Sequence, residues 1–582
     1  MDNERATLFY DSFLFYPSLH LHLEVCQAIE SKDNMEEYKP EADVSRQEMV
    51  PPDEKYDGQH LGRATQAQDH NRGYLETLRR DPRLLFWIGL MLWTLVVRGF
   101  ENQSSGAIVS IPVFKQRFGE QEEGGEQYFI DTEWLSALNG GAQAFSIIGA
   151  WASSYASDRV GVKPTIIVAA CINVASIGIE FATTSIGVFF AGKMVNFISI
   201  GAFQVLCTSY VSEVAPLAIR ASAIGFCNLS QCIGPFISAI MSYYTSSWND
   251  DWSWQSIICA QWGFAAVALI GHLFMPESPV FLTRKGKFTE AQKVLERLYT
   301  DPTDARGRLE VIKFTLEEAE TSGYGTYWDA FKGTNLRRTL LAIMVFVSEP
   351  MSGLGFVSNY GALMYQYLGI EGQESFALQI GAQVLSITGA TLSFLVADFV
   401  GRRPMYVTGC TALCILLICM GIAGSIDTQA AVTGAVAFYT MFNFFYNFGV
   451  GSVVYSLAGE IPTSALRGKS LAISVSSMNA VNTMWSFVAP YMFNPDYGNL
   501  KARIGFVFGA FMAIWAVMAF FYVPETRLRS YEELDELFMN KVPARKFKRY
   551  QTVAETKAGT AYAEEKKIGG VEETQKEERA MS

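Results

Sequence analysis

Apolar runs of about 18–25 residues recur along this chain, each long enough to cross a bilayer core of about 30 Å, and they constrain its fold more than anything else in it. They number about twelve, near 84–114, 132–156, 164–183, 186–212, 221–244, 254–275, 339–366, 376–397, 405–424, 430–459, 470–493 and 503–523. In hydrocarbon every backbone N–H and C=O must be satisfied inside the segment, so such runs read as spanning helices. Half of the 582 residues are hydrophobic and 18% are charged. That balance excludes an ordinary soluble protein of this length and predicts an all-α polytopic membrane protein with twelve transmembrane helices.

The formal charge of -12 hides an asymmetry between the loops. Arg159 and Lys163 follow the second run, Arg402 and Arg403 the eighth, and Arg467 and Lys469 the tenth, while the connector 276–338 holds eleven Lys/Arg residues. The loop 246–252 on the other side has none. Loop 115–131 carries Lys115 and Arg117, but Glu120, Glu122, Glu123 and Glu126 accompany them. Short basic loops stay inside, which places both termini and the connector in the cytoplasm. The expected organisation is a disordered tail over 1–83, a six-helix half over 84–275, a connector over 276–338, a second half over 339–523 and a cytoplasmic tail over 524–582, solvated from 541. The aromatic stretch 8–22 is not a signal peptide, since Asp2 and Glu4 precede it and Asp11 breaks it. Apolar residues at helical spacing over 288–299 and 309–319 predict two short connector helices. Eight of the nine cysteines fall inside apolar runs, where Cys serves as a small apolar residue. No spacing suits a metal, and no cofactor, nucleic-acid or enzyme motif occurs, so neither metal, cofactor nor nucleic-acid partner is expected.

An internal repeat organises the runs. Asp158-Arg159-Val160-Gly161-Val162-Lys163 matches Asp398-Phe399-Val400-Gly401-Arg402-Arg403. Glu213 with Arg220 matches Glu460 with Arg467, and Pro276-Glu277-Ser278 matches Pro524-Glu525-Thr526. Three ordered matches at nearly one offset mean one six-helix unit used twice, and duplicated parallel halves around a midplane site are the architecture of alternating-access carriers.

These motifs, with Tyr210-Val211-Ser212-Glu213-Val214-Ala215-Pro216 and Pro279, resemble the sugar porter branch of the major facilitator superfamily from about residue 80 to 545. Glu460-Ile461-Pro462-Thr463-Ser464, Pro490-Tyr491-Met492-Phe493-Asn494-Pro495 and the run 531–547 are most similar to fungal α-glucoside (maltose-type) permeases. The resemblance implies a gating network at the cytoplasmic face, comprising Asp158, Arg159, Lys163, Lys193, Glu213, Arg220 and Glu277 in the first half. Asp398, Arg402, Arg403, Glu460, Arg467 and Glu525 are the counterparts in the second. Phe399 and Val162 stand where those loops usually carry basic residues, so the network is thinner. Such pairs need bias the two halves by only a few kcal/mol.

Sugar sites need amides and hydroxyls for ring hydroxyls and aromatic faces for the ring. The resemblance places a polar contact at Asn228, and the seventh span's paired glutamines at Glu349 and Pro350. Its later asparagine falls on Gly355, which leaves Asn359 and Tyr360 on that helix. Its tenth-span tryptophan becomes Tyr455, and the eleventh span keeps Asn482. Several hexose contacts are therefore missing, which leaves room for a larger substrate. Helix–helix hydrogen bonding is the alternative role for Asn228 and Asn482. Glu180 and His272 are lone polar residues near span ends and read as interfacial.

The first run is interrupted by Arg98-Gly99-Phe100-Glu101-Asn102-Gln103-Ser104-Ser105-Gly106. An ionisable residue inside a span is costly and marks a pathway, whereas Arg98 and Glu101 at i,i+3 can also pair statically. The resemblance puts Glu101 at the symporters' proton position, and Arg98 where maltose-type relatives carry an acid. Desolvation favours the neutral form of a carboxyl, and a nearby cation the charged form. Two readings follow: proton-coupled uptake of an α-glucoside such as maltose, or a sugar uniporter with a fixed Arg98–Glu101 pair. A nutrient sensor of this fold is a third, weakened by a tail of about 35 residues after Phe547 where sensors carry a long extension. The expected partners are a sugar, protons if transport is coupled, and the bilayer. The expected carrier is monomeric and in the plasma membrane.

Overall fold

The computed structural model describes residues 77 and 79–550, apart from 122–127, 322–326, 371, 427, 464, 465, 495, 496, 528 and 530. The expected tail up to 76, the segment 551–582 and three of the loop glutamates (Glu122, Glu123, Glu126) lie outside the described residues.

The first half comprises α1 (Pro82–Ser110), α2 (Ala142–Val160), α3 (Val162–Phe181), α4 (Ile186–Val214), α5 (Leu217–Thr245) and α6 (Trp252–Phe274). Thr132–Ser136 leads into α2 through a π turn, Ala137–Gly141. The second half comprises α7 (Gly333–Met351), α8 (Gln373–Val400), α9 (Arg402–Ala423), α10 (Gln429–Phe445, a π turn Tyr446–Gly451, then Ser452–Glu460), α11 (Arg467–Phe493) and α12 (Ile504–Tyr522). Among the described residues nine helices are long and apolar enough to cross a membrane. The remaining runs, those of α2, α10 and α11, are diluted by Ser, Asn and Thr or divided by a π turn. Their polar faces turn inward, and π turns of this kind gather at functional sites. Large apolar side chains such as Ile148, Trp151, Phe274 and Val517 are exposed on the helices' outer faces, as a lipid-solvated protein requires.

The connector helices form at Phe288–Leu298 and Pro302–Thr321. Arg80 ties the start of α1 to them through Asp301 at 2.6 Å and Asp304 at 3.4 Å. Three boundaries differ from the apolar pattern. The seventh span begins at Gly333, because the charges of Arg337 and Arg338 do not stop a helix; Arg338 is buried against Asp535 and lies over the Phe538 ring. That span is also not one rod. It breaks at Gly353, whose φ of +86° is left-handed, and resumes as Leu354–Asn359 and Gly361–Tyr367. Residues 541–550 are not solvated throughout, since Val542, Ala544 and Phe547 are buried.

The repeat is visible as chemistry. Gly161 and Gly401 end α2 and α8 with φ of +113° and +101°. A Cβ at either would stand 2.5 Å or 2.7 Å from a carboxylate oxygen of Glu277 or Glu525. Glu277 Oε1 accepts from the N–H groups of Val162 (2.8 Å) and Lys163 (3.1 Å), and Glu525 Oε1 from that of Arg402 (3.1 Å). Each acid thus sits on the positive N-terminus of the next helix. Ser209 donates to Glu213 at 2.9 Å and Ser456 to Glu460 at 3.1 Å, four residues apart in both halves.

At the end away from those glycine turns the halves meet closely. A Cβ on Gly106 of α1 would stand 1.6 Å from the Asn359 carbonyl oxygen. Gln366 donates to the Ser110 carbonyl at 3.2 Å, Lys115 to Gln366 at 2.8 Å, and Ser136 to the Phe487 carbonyl at 3.2 Å.

Candidate functional site

Three polar layers lie between the helices. The central one is built on Arg98, which is half-buried on α1. Its guanidinium donates to Gln231 of α5 and, at 3.0 Å, to Gln204 of α4. It faces Glu349 of α7 and Tyr455 of α10 from across the halves, and its buried Nε has no hydrogen-bond partner among the described residues. Tyr455 meets Phe346 edge-on at 5.2 Å and interacts with Gln204. Glu349 is buried and interacts with Tyr446 of the π turn. Asn228 Nδ2 donates to Ser452 Oγ at 3.1 Å, and Asn447, also of the π turn, donates to Ser386 at 2.8 Å. Donors, acceptors and two aromatic rings from both halves therefore converge on one place. That is the equipment for holding a polyhydroxylated molecule.

The second layer is a buried ion cluster. Glu101, which is 2% exposed, binds Lys193 of α4, 1% exposed. The same ammonium lies 2.9 Å from Glu180 of α3, which is fully buried. The Arg98–Glu101 pair of the alternative reading does not form. Although i,i+3 neighbours share a helix face, the nearer partner of Glu101 is the ammonium of α4, and two amide oxygens take the guanidinium. Lys193 is also not a cytoplasmic gating charge. It sits at the start of α4, twenty residues or about 30 Å from Glu213 at 1.5 Å per residue. Nor is Glu180 interfacial, and His272 is buried as well, its ring 3.1 Å from Thr94 Oγ1.

The third layer seals the end away from the glycine turns. Asn359 and Tyr360 lie here, separate from the central cluster, with the Tyr360 hydroxyl donating to the Ser486 carbonyl at 3.2 Å. Asn482 is half-buried, its Oδ1 placed 2.7 Å from where a Cβ on Gly355 would be.

At the opposite end, the ion pairs seen for the expected gating charges among the described residues run within a half or to the connector. Asp158 pairs with Arg284 at 3.0 Å and Arg402 with Glu460 at 3.6 Å. Arg159 lies over the Tyr155 ring, Arg220 donates to the Ala215 carbonyl, and Arg403 to that of Phe520. Lys163 is half-buried beside its N–H bond to Glu277. The side chains of Asp398 and Arg467 lie outside the described residues. Gln204, Gln231 and Tyr446 are the residues that reading by motif missed, while Lys193 and Glu180 were assigned to the wrong places. Gln204, Lys193 and Glu180 carried the one available signal, a polar group alone in an apolar run.

The chain matches the family described as "Sugar (and other) transporter" over residues 90–538. A maltose permease of Saccharomyces cerevisiae is 30% identical over 496 residues, covering 83% of this chain and 81% of the relative. A general alpha-glucoside permease of the same yeast is 30% identical over 481 residues, covering 81% and 78%. Among solved structures, a proton:xylose symporter bound to 6-bromo-6-deoxy-D-glucose aligns with a TM-score of 0.64 at 22% identity, over 78% of this chain and 99% of that one. The inward-open xylose transporter from E. coli aligns with a TM-score of 0.62 at 20% identity, over 78% and 99%. These two share the fold.

Proposed function

We propose a substrate and a coupling mode for a chain that belongs to the sugar (and other) transporter family, within the major facilitator superfamily. It carries an α-glucoside disaccharide such as maltose inward with a proton, by alternating access, across the plasma membrane and with both termini in the cytoplasm. The observation that carries the coupling is the buried carboxylate of Glu101, bound to Lys193 beside the central cluster. A fixed ion pair there has a large desolvation cost, which a group that takes up and releases a proton turns to use. The disaccharide is supported by the maltose and alpha-glucoside permeases among the relatives and by the length of the polar column. From Arg98 to Gly106, which touches Asn359, α1 rises about 12 Å at 1.5 Å per residue.

In this reading Asn228, Glu349 and Tyr455, with Arg98, hold one sugar ring, while Asn359, Tyr360 and Asn482 line the end that closes over it. The acids and bases around Gly161 and Gly401 separate and join as the halves rock. The carrier works as a monomer in this reading, with each polar layer built from helices of one chain.

The test is uptake of radiolabelled maltose into cells or proteoliposomes with an external pH electrode. Sugar-driven alkalinisation, abolished by Glu101→Gln, is the expected result. Unchanged coupling in that variant overturns the assignment. Uptake indifferent to a protonophore supports the second reading, a uniporter, which the complete burial of the Glu101–Lys193 pair favours if the pair is permanent.

A further inference from the structure

We propose that Glu180 is the second carboxylate of the proton site, sharing one proton with Glu101 across Lys193; this rests on the proton-coupled reading above. The geometry is a chain of contacts through three helices. Lys193 Nζ is bound to Glu101 Oε1 and lies 2.9 Å from Glu180 Oε2. Glu180 Oε1 accepts from Asn196 Nδ2 at 2.9 Å, and Asn196 Oδ1 accepts from Asn173 Nδ2 at 2.6 Å. None of the three charged groups is more than 2% exposed.

The charges do not balance. Two carboxylates and one ammonium leave a surplus negative charge where water does not reach, and an uncompensated buried charge is expensive. Two acids that share a site hold one proton between them. Lys193, Glu101 and Asn196 are the groups that act on Glu180. Arg98, one turn from Glu101, is turned to Gln204 and Gln231. His272 on α6 lies against Thr94 further down α1, and Glu133 before α2 is exposed. Phe189 covers the Lys193 ammonium, its ring centroid 5.7 Å away. A single proton bound by the carboxyl pair therefore neutralises the cluster.

The step is a proton transfer and nothing more. One proton enters from water on the side the site faces, binds one of the two carboxylates, and leaves to water on the other side after the halves reorient. With both carboxylates ionised, the Lys193 ammonium ties α1 and α3 to α4. With one proton on the pair it holds a single acid, so α1 or α3 is released from α4. Glu180 shares the proton directly and takes no part in holding the sugar.

The full-length chain in proteoliposomes tests this by the pH profile of maltose counterflow, which reports protonation with or without net proton movement. In Glu180→Gln the pH of half-maximal exchange is expected to move by at least about one unit, and Glu180→Asp returns it toward wild type. Should Glu180→Gln fail to accumulate, Asn196→Ala removes the amide that donates to Glu180, together with its bond from Asn173, leaves the carboxylate in place and is expected to move the midpoint too. A variant that exchanges less sugar at an unmoved midpoint overturns the proposal, because a structural role lowers amount without moving the profile. If wild type moves no proton with sugar the coupled reading falls, and the counterflow midpoint still decides whether the two acids share a proton.

Discussion

Gly106→Ala places a methyl group where α1 crosses the broken seventh span. The new Cβ would stand 1.6 Å from the Asn359 carbonyl oxygen and 2.7 Å from its carbon, well inside contact distance, so α1 and the Leu354–Asn359 helix must part. Overpacking of this kind costs about 1–3 kcal/mol. The contact joins the two halves, so that cost falls on the state in which this end is shut. A bias of about 1–3 kcal/mol moves a two-state equilibrium by roughly 5- to 150-fold. Gly149 and Gly201 provide the control. A Cβ at either would stand 1.9 Å from a carbonyl of Ile198 or Ser146, but both contacts join α2 to α4 inside one half. Gly149→Ala and Gly201→Ala should lower melting temperature and yield with no shift between states. The assay is labelling of Ser110→Cys, buried at this end, by a membrane-impermeant thiol reagent, beside saturating uptake. Gly106→Ala is expected to raise the labelling rate at least about fivefold and lower maximal uptake, with melting nearly unchanged. Equal labelling in the Gly106 and Gly201 variants would refute the claim that this crossing is the seal.

Glu277→Gln leaves the N–H groups of Val162, Lys163 and Ser278 facing an amide in place of a carboxylate. Charge-assisted bonds exceed neutral ones by about 1 kcal/mol each, so a fall in melting temperature larger than for Glu525→Gln, which weakens the bond from the Arg402 N–H among others, is expected. The Asp301 carboxyl is held below the usual aspartate range, first by the Thr303 hydroxyl, then by the Thr303 N–H and Arg80. A depressed folded value means stability that is present above the ordinary aspartate value and lost as pH falls through the lower one. Limited proteolysis should therefore cut the connector faster only below that range, and Asp301→Asn should cut equally fast at neutral pH. Asn228→Ala removes one amide from the central cluster. A hydrogen bond is worth about 0.5–1.5 kcal/mol, so maltose affinity by counterflow should fall roughly two- to tenfold, and an unaltered affinity would return Asn228 to helix packing.

Sequence alone determined the class of fold and its symmetry. Apolar length sets a spanning helix because hydrocarbon offers backbone groups no other partner. The Asp-x-x-Gly turns recur because only glycine accepts a φ beyond +100° beside a carboxylate. Glu349 and Tyr455 were named only through the family resemblance, and both face Arg98 in the central cluster. Tertiary structure alone decided which charges meet. Arg98 and Glu101 are three residues apart and do not pair, whereas Glu101 and Lys193, ninety-two residues apart, do. Spacing along one helix says which side chains share a face, but not what the neighbouring helices bring to it. Glu180 and His272 show the same limit. Position in a run cannot tell an end that meets lipid headgroups from one packed under α4 or α1, and that packing put a glutamate read as interfacial against the buried Lys193 ammonium.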